Sequence, residues 1–245
     1  MIRPIRRHLG AALALLTLEV LALLGAWLGC LLVVLGLGAW WLARGTFGFD
    51  AAAFRAADSL RAAVPWLTPG VKAITWLGTQ FFLVPAGLAL LAWFAFRKRH
   101  RWHSWRVPVV ALGSIGLNAL LKLTYHRPRP LLPHLVPAHG MSFPSGHAMV
   151  AVSFWGLLGW LARRHLRPGW RRTAALIGLP VLALSVGLSR VYLHVHYASD
   201  VAAGFAAGLA WLLLALGILG WLERRAARTA GEPGDAAVAA TPQED

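Results

Sequence analysis

The sequence predicts an all-α integral membrane bundle of six transmembrane helices, with an amphipathic surface helix between the first and second spans. Three observations carry that expectation. The chain has 245 residues, 58% of them hydrophobic and only 13% charged, with a mean hydropathy of +0.60. Apolar runs of about 20 residues, enough to cross a hydrocarbon core of roughly 30 Å, recur along it. The basic residues gather in short stretches between those runs, where membrane topology and anionic head groups account for them.

The first apolar run covers residues 9–43 behind Arg3, Arg6 and Arg7, and its membrane part is placed at 21–42. The run is far longer than a signal-peptide core and shows no small-residue cleavage site, so an uncleaved first span is expected. Glu19 then falls near the interface. Residues 45–69 mix Asp50, Arg55, Asp58 and Arg61 with Phe54, Leu60, Val64 and Leu67 at helical spacing, the pattern of a helix lying on the membrane surface. The remaining spans are placed at 71–96, 107–125, 147–162, 173–191 and 200–222, the fourth being short. Residues 1–228 form one domain, and 229–245, rich in Ala, Gly, Pro and acidic residues, form a tail expected to be disordered.

Orientation follows from the Arg and Lys clusters. Six spans put the N-terminal arginines, Arg97-Lys98-Arg99 with Arg101 and Arg106, the Arg163 to Arg172 cluster, and Arg224, Arg225 and Arg228 on one side. The positive-inside rule makes that side cytoplasmic. Both termini are then expected on the cytoplasmic side, and the chemistry described next faces outward. The net charge of +15 forms no stripe interleaved with aromatics, so no nucleic-acid partner is expected, and nothing points to an obligate protein partner. Cys30, the one cysteine, has no internal partner for a disulfide.

Three stretches carry chemistry. In Pro144-Ser145-Gly146-His147, a proline at the start of a helix, a glycine open to close approach and the backbone N–H groups of a helix N-terminus make an anion-binding junction. His147 can pass a proton to a leaving oxygen from there. A plain loop-to-helix junction would read the same way. In the second stretch, His196 and Asp200 are four apart and can share a helical face, so the carboxylate can fix the ring tautomer and free the other nitrogen to attack phosphorus. The plainer alternative is an interfacial histidine beside a helix cap formed by Ser199 or Asp200. In the third, Lys122 and Arg129 join Arg190 as fixed cations for the oxygens of a phosphoryl group. A basic cluster at the end of a span is ordinarily an anchor, and Arg127 reads as one. No acidic cluster or Cys/His pattern for a metal is evident; His126, His134, His139 and His194 are irregularly spaced, and no cofactor is expected.

Lys122 with six residues to Arg129-Pro130, then Pro144-Ser145-Gly146-His147, then Ser189-Arg190 with five residues to His196 and three more to Asp200, resembles the three-part signature of the type 2 phosphatidic acid phosphatase superfamily. The motifs cover residues 122–200, and the six-span layout extends the resemblance to most of the chain. The resemblance implies that His196 is the nucleophile, Asp200 its orienting partner and His147 the general acid. It also implies that Lys122, Arg129, Arg190, Ser145 and the Gly146 backbone hold the phosphate. Members are metal-independent, and the membrane-bound ones are six-helix bundles. His194 lies two residues before His196, but spacing from Arg190 and Asp200 selects His196.

The expected function is a metal-independent lipid phosphatase of a bacterial type, working through a phosphohistidine at the outer face of the inner membrane. Candidate substrates, from the resemblance, are undecaprenyl pyrophosphate, phosphatidylglycerol phosphate, phosphatidic acid and diacylglycerol pyrophosphate. A lipid phosphotransferase acting toward an acceptor such as lipid A is the alternative, since the motifs do not encode the acceptor. The paired histidines with Asp200 speak against a non-catalytic scaffold or transporter, and the apolar spans against a soluble vanadium haloperoxidase, which shares the phosphate-site motifs.

Overall fold

The computed structural model describes residues 2–96 and 101–230, without the side chains of 2–17, 19, 101 and 230. The Arg97-Lys98-Arg99 stretch and the tail from residue 231 lie outside the described residues, as do the side chains of Arg3, Arg6, Arg7 and Glu19. The described residues form eight helices and no strand: α1 (Ile2–Arg44), α2 (Gly48–Ala63), α3 (Leu67–Trp76), α4 (Gln80–Ala95), α5 (Arg101–Tyr125), α6 (Gly146–His165), α7 (Trp170–Tyr192) and α8 (Ala198–Ala230).

Four stretches are long and apolar enough to cross a membrane: Val20–Arg44, Trp102–Tyr125, Trp170–Tyr192 and Ala198–Thr229. α3 and α4 pass the same test only when taken together as a fifth, bent by 45° where the sequence reading had one continuous span over 71–96. The break has a local cause. The N–H groups of Leu77, Gly78 and Thr79 turn back three residues to Ile74, Thr75 and Trp76, and Thr79 is extended before α4 begins. A Cβ on Gly78 would lie 2.4 Å from Val186 Cγ1 on α7 and 3.2 Å from the ring of His147, so glycine lets the turn close against α7 and the start of α6.

α6 is 20 residues long, about 30 Å at 1.5 Å per residue, but does not reach the same apolar composition. Its position explains why. It packs on α5, α7 and α8 and buries Ala148, Met149, Ala151, Phe154, Leu157 and Leu161, so little of it would meet lipid. A helix enclosed by protein can carry His147 and Ser153 where a lipid-facing helix could not. α1 is the opposite case: only 6% of its apolar stretch is buried, chiefly where it packs on α8.

Small residues hold α8 against α6, as is usual where helices associate without water to drive them. A Cβ on Gly204 would stand 2.6 Å from the Ser145 carbonyl oxygen and 3.3 Å from the Met149 nitrogen. Ser153 Oγ bridges the pair, 3.0 Å from the Met149 carbonyl and 3.2 Å from that of Gly208. Residues 45–69, expected as one amphipathic helix, are divided: α2 stops before Pro65, and the following residues begin α3. α2 packs on α7 and α8 and buries only Asp50 and Phe54.

Chain direction gathers the motifs. α5 and α7 end, and α6 and α8 begin, at the same end of the bundle, so Lys122, Gly146, Arg190 and Asp200 meet there. Because that end depends on the α6–α8 approach, Gly204→Val should destabilise the protein by about 1–3 kcal/mol through overpacking. The thermal midpoint of the detergent-solubilised variant measures it, and an unchanged midpoint would mean the two helices are free to move apart.

Candidate active site

The loop between α7 and α8 sets the central histidine. His194 takes a φ of +61° as α7 ends, and the N–H groups of Val195 and His196 both turn back to the Arg190 carbonyl. That turn separates the two neighbouring histidines. His194 Nε2 lies 3.0 Å from Asp58 Oδ1 on α2, whereas His196 Nδ1 lies 3.6 Å from Asp200 Oδ2. At that distance the imidazole and carboxylate are not directly hydrogen-bonded. Ser142 stands between them: its hydroxyl donates to Asp200 Oδ2 at 2.5 Å, and its oxygen lies 3.2 Å from His196 Nδ1.

The tautomer follows. The Ser142 proton is directed at Asp200, so the serine oxygen accepts from an Nδ1–H. Arg129 Nη1 can only donate and lies 3.1 Å from His196 Nε2, so Nε2 carries the lone pair. Burial pushes the His196 pKa down to about 4, against the upward pull of Asp200 and with the help of Arg129 and Lys122. The ring is therefore neutral near pH 7, with Nε2 directed at a cation.

That cation is fixed. Arg129 donates to the carbonyls of Val195 at 2.7 Å, Gly140 at 3.1 Å and His139 at 2.8 Å, so the loop from 131 to 141 and the α7–α8 turn hold the guanidinium together. Its own pKa is lowered by burial and raised by Asp200. Lys122 Nζ donates to the Met141 carbonyl, and Arg190 Nη1 to Thr75 Oγ1 at 2.8 Å. Lys122, Arg129, Arg190 and His196 all lie within electrostatic range of His147. Around them, Ser145 Oγ, His147 Nε2 and Arg190 Nε are buried without a hydrogen-bond partner. Buried polar atoms are nearly always satisfied. A cluster of orphaned atoms among cations at the N-terminus of α6 is the arrangement an anion would complete.

All eight residues singled out in the sequence thus come to one end of the bundle. The helix-cap alternative also holds, since Asp200 Oδ2 accepts from the Tyr197 N–H at 2.9 Å and caps α8 with the oxygen that faces Ser142. Three further residues escaped the sequence reading. Ser142 is one. Arg127 is not an interfacial anchor: it is fully buried, donating to Asp200 Oδ1 at 2.7 Å, Ser199 Oγ at 2.7 Å and Asp50 Oδ2 at 3.0 Å, with Tyr197 stacked on it. Asp50, from α2, also accepts from the Ser199 N–H and hydroxyl, each at 2.8 Å. The available signal was that Asp50 is one of only nine acidic residues. Among the described residues no group of His, Cys, Asp and Glu is placed to hold a metal ion.

An imidazole with its lone pair held among fixed cations, at one end of a bundle of membrane-length helices, defines a membrane phosphatase. The comparisons with known proteins agree. The family model of the PAP2 superfamily matches residues 103–224. Phosphatidylglycerophosphatase B of Bacillus subtilis (strain 168) is 34% identical over 155 residues, covering 62% of this chain and 75% of that protein. Undecaprenyl-diphosphatase BcrC of the same strain is 30% identical over 131 residues, covering 50% and 62%. The crystal structure of a transmembrane PAP2-type phosphatidylglycerolphosphate phosphatase from B. subtilis superposes with a TM-score of 0.73 at 31% identity, covering 81% of this chain and 98% of that one. The chain belongs to the PAP2 superfamily.

Removing one partner of a buried ion pair costs about 3–5 kcal/mol, so Asp50→Ala should lower the thermal midpoint in detergent markedly. Asp58, half exposed beside Arg61, is the contrast: Asp58→Ala should change stability by under about 1 kcal/mol. Equal effects of the two would remove the central place given to Asp50.

Proposed function

We propose that this protein is a metal-independent lipid phosphatase that works through a phosphohistidine on His196. The observation that carries the reading is the direction of His196: Nδ1–H toward Ser142 and Asp200, lone pair on Nε2 toward Arg129. A substrate phosphate binds among Lys122, Arg129 and Arg190, with Ser145 Oγ and the N–H groups at the start of α6. The negative charge it brings favours a protonated His147. Nε2 attacks phosphorus, the bond from phosphorus to the lipid oxygen breaks, and His147 delivers its proton to that oxygen. Asp200, through Ser142, stabilises the charge that the ring acquires. The three cations hold the equatorial oxygens as charge spreads over them. Water then gives a proton to His147 and attacks phosphorus, the P–N bond breaks, and inorganic phosphate leaves.

In this reading α6 is the sixth span, enclosed by the others, and α2 lies on the membrane surface over the site. Both termini lie on the cytoplasmic side of a bacterial inner membrane, and the cavity opens on the outer side, as the arginine clusters at the far end of the bundle support. Residues 1–228 act as one phosphatase domain. The lipid keeps its hydrocarbon in the bilayer while its phosphate enters the cationic end. Two relatives bear names that favour phosphatidylglycerol phosphate and undecaprenyl pyrophosphate as the first substrates to try.

Detergent-purified protein should release inorganic phosphate from one or both of these lipids with EDTA present, and His196→Ala should reduce release by at least about 10³-fold while remaining folded. Release in the variant near the wild-type rate would overturn the nucleophile. Transfer of the substrate's phosphate onto an added acceptor lipid, with no inorganic phosphate released, would favour a transferase. A second expectation concerns pH. A histidine with a lowered pKa is protonated, and inactive as a nucleophile, only below that value. The acid limb of kcat/KM should therefore fall near pH 4, once the substrate's own second ionisation near pH ~6 is allowed for. A limb at the ordinary histidine value of about 6.5 would show that His196 is not held as described.

A further inference from the structure

At the other end of the bundle α5 begins and α6 and α8 end, and a second charged cluster lies between them. Arg106, almost wholly buried, donates through Nη2 to Glu223 Oε2 at 2.5 Å and through Nη1 to His103 Nδ1 at 2.7 Å. Its Nε is buried without a partner. Arg106 and Arg164 both lie over the ring of Trp160, at 4.8 and 5.3 Å from its centroid. These residues, with Leu216 and Arg224, line a cavity of about 150 Å³, several times the ~30 Å³ share of one water.

Charge decides what suits this cavity. Its three guanidinium groups face one carboxylate, and that carboxylate is already bonded to Arg106. Among the described residues, Arg164 and Arg224 make no ion pair. Two cations next to a buried orphaned N–H, with Trp160 and Leu216 as an apolar wall, suit an anionic group joined to hydrocarbon. Position decides where that group comes from. His147 and Arg164 lie near opposite ends of α6, 17 residues apart and so about 25 Å at 1.5 Å per residue, close to the roughly 30 Å of a hydrocarbon core. The cavity is therefore at head-group depth in the opposite leaflet. Basic pockets between membrane helices are suited to phosphate head groups.

We propose that the cavity lined by Arg106, Arg164 and Arg224 binds the phosphate head group of an anionic lipid in the leaflet opposite the catalytic cavity. The test is the thermal midpoint of the detergent-purified full chain, titrated with phosphatidylglycerol, phosphatidylcholine or inorganic phosphate. Phosphatidylglycerol should raise the midpoint in a saturable manner, and the other two should not. The Arg164→Gln/Arg224→Gln variant should weaken the apparent affinity for phosphatidylglycerol about tenfold or more, with phosphate release from substrate unchanged in neutral detergent. Lys122→Ala, at the catalytic end, should leave that affinity as it is. If the double variant does not fold, Arg224→Gln alone is read in the same way. An undiminished response in the arginine variant, or one lost in Lys122→Ala, would overturn the proposal. Inorganic phosphate matching the lipid would overturn the lipid as the source.

Discussion

Arg127 is a fully buried guanidinium between two buried carboxylates, and the end of the bundle where the motifs meet is organised around it. A charge withdrawn from water is tolerated only with good geometry and further hydrogen bonds, and both are present. Asp200 and Asp50 accept from its two terminal nitrogens, Ser199 Oγ bonds to both Arg127 and Asp50, and Tyr197 covers the cation face. The contacts reach separate parts of the chain. Asp50 brings α2, Asp200 and Ser199 bring the start of α8, and the Arg127 carbonyl accepts from the Ser142 N–H at 2.7 Å. Ser142 is the residue that meets His196. The orientation of that imidazole thus depends, through Arg127 and Ser142, on an acid carried by α2.

Behind His196 nearly every polar atom is paired; in front of it several are not. Arg127 joins the Ser142–Asp200 pair to the Ser199–Asp50 pair with only its Nε left over, whereas Ser145 Oγ, His147 Nε2 and Arg190 Nε are all orphaned in front. A satisfied network resists deformation, while unsatisfied donors in a dry site cost free energy until an anion meets them. The arrangement places that cost where a phosphate would bind and keeps the support rigid. Local disagreement with the rule of satisfied interiors marks the functional face.

The sequence made one face of this site legible and left the other hidden. Lys122, Arg129, Ser145, Gly146, His147, Arg190, His196 and Asp200 sit at helix ends or in turns, and the spacing that resembles the family signature is what singled them out. Asp50 lies 77 residues before Arg127, and nothing periodic in α2 distinguishes an acid that faces solvent from one drawn into the core. Arg127 looked like an anchor because a buried arginine and an interfacial one have the same flanking sequence. Ser142 carries no pattern at all. The fold divides in the same way. Hydropathy located the apolar runs. It could not see the 45° break between α3 and α4, which Gly78 permits by its close approach to Val186 and His147, nor that α6 is enclosed by its neighbours and therefore free to be less apolar.

Arg129 shows how the proposed substrate site connects to the membrane. Its guanidinium is positioned by backbone carbonyls of His139, Gly140 and Val195, so the loop that follows Pro130 fixes the cation facing His196. The same loop begins with Leu131, fully exposed, and Leu132, partly so. Two leucines in succession at the end of a bundle of membrane-length helices are where hydrocarbon or interfacial lipid would be met. Lipid contact at Leu131 and Leu132 would tie the loop that holds Arg129 to the bilayer, and with it the cationic end of the bundle. Backbone carbonyls, unlike a side-chain carboxylate, fix that cation without neutralising it, and so leave its charge for a phosphate.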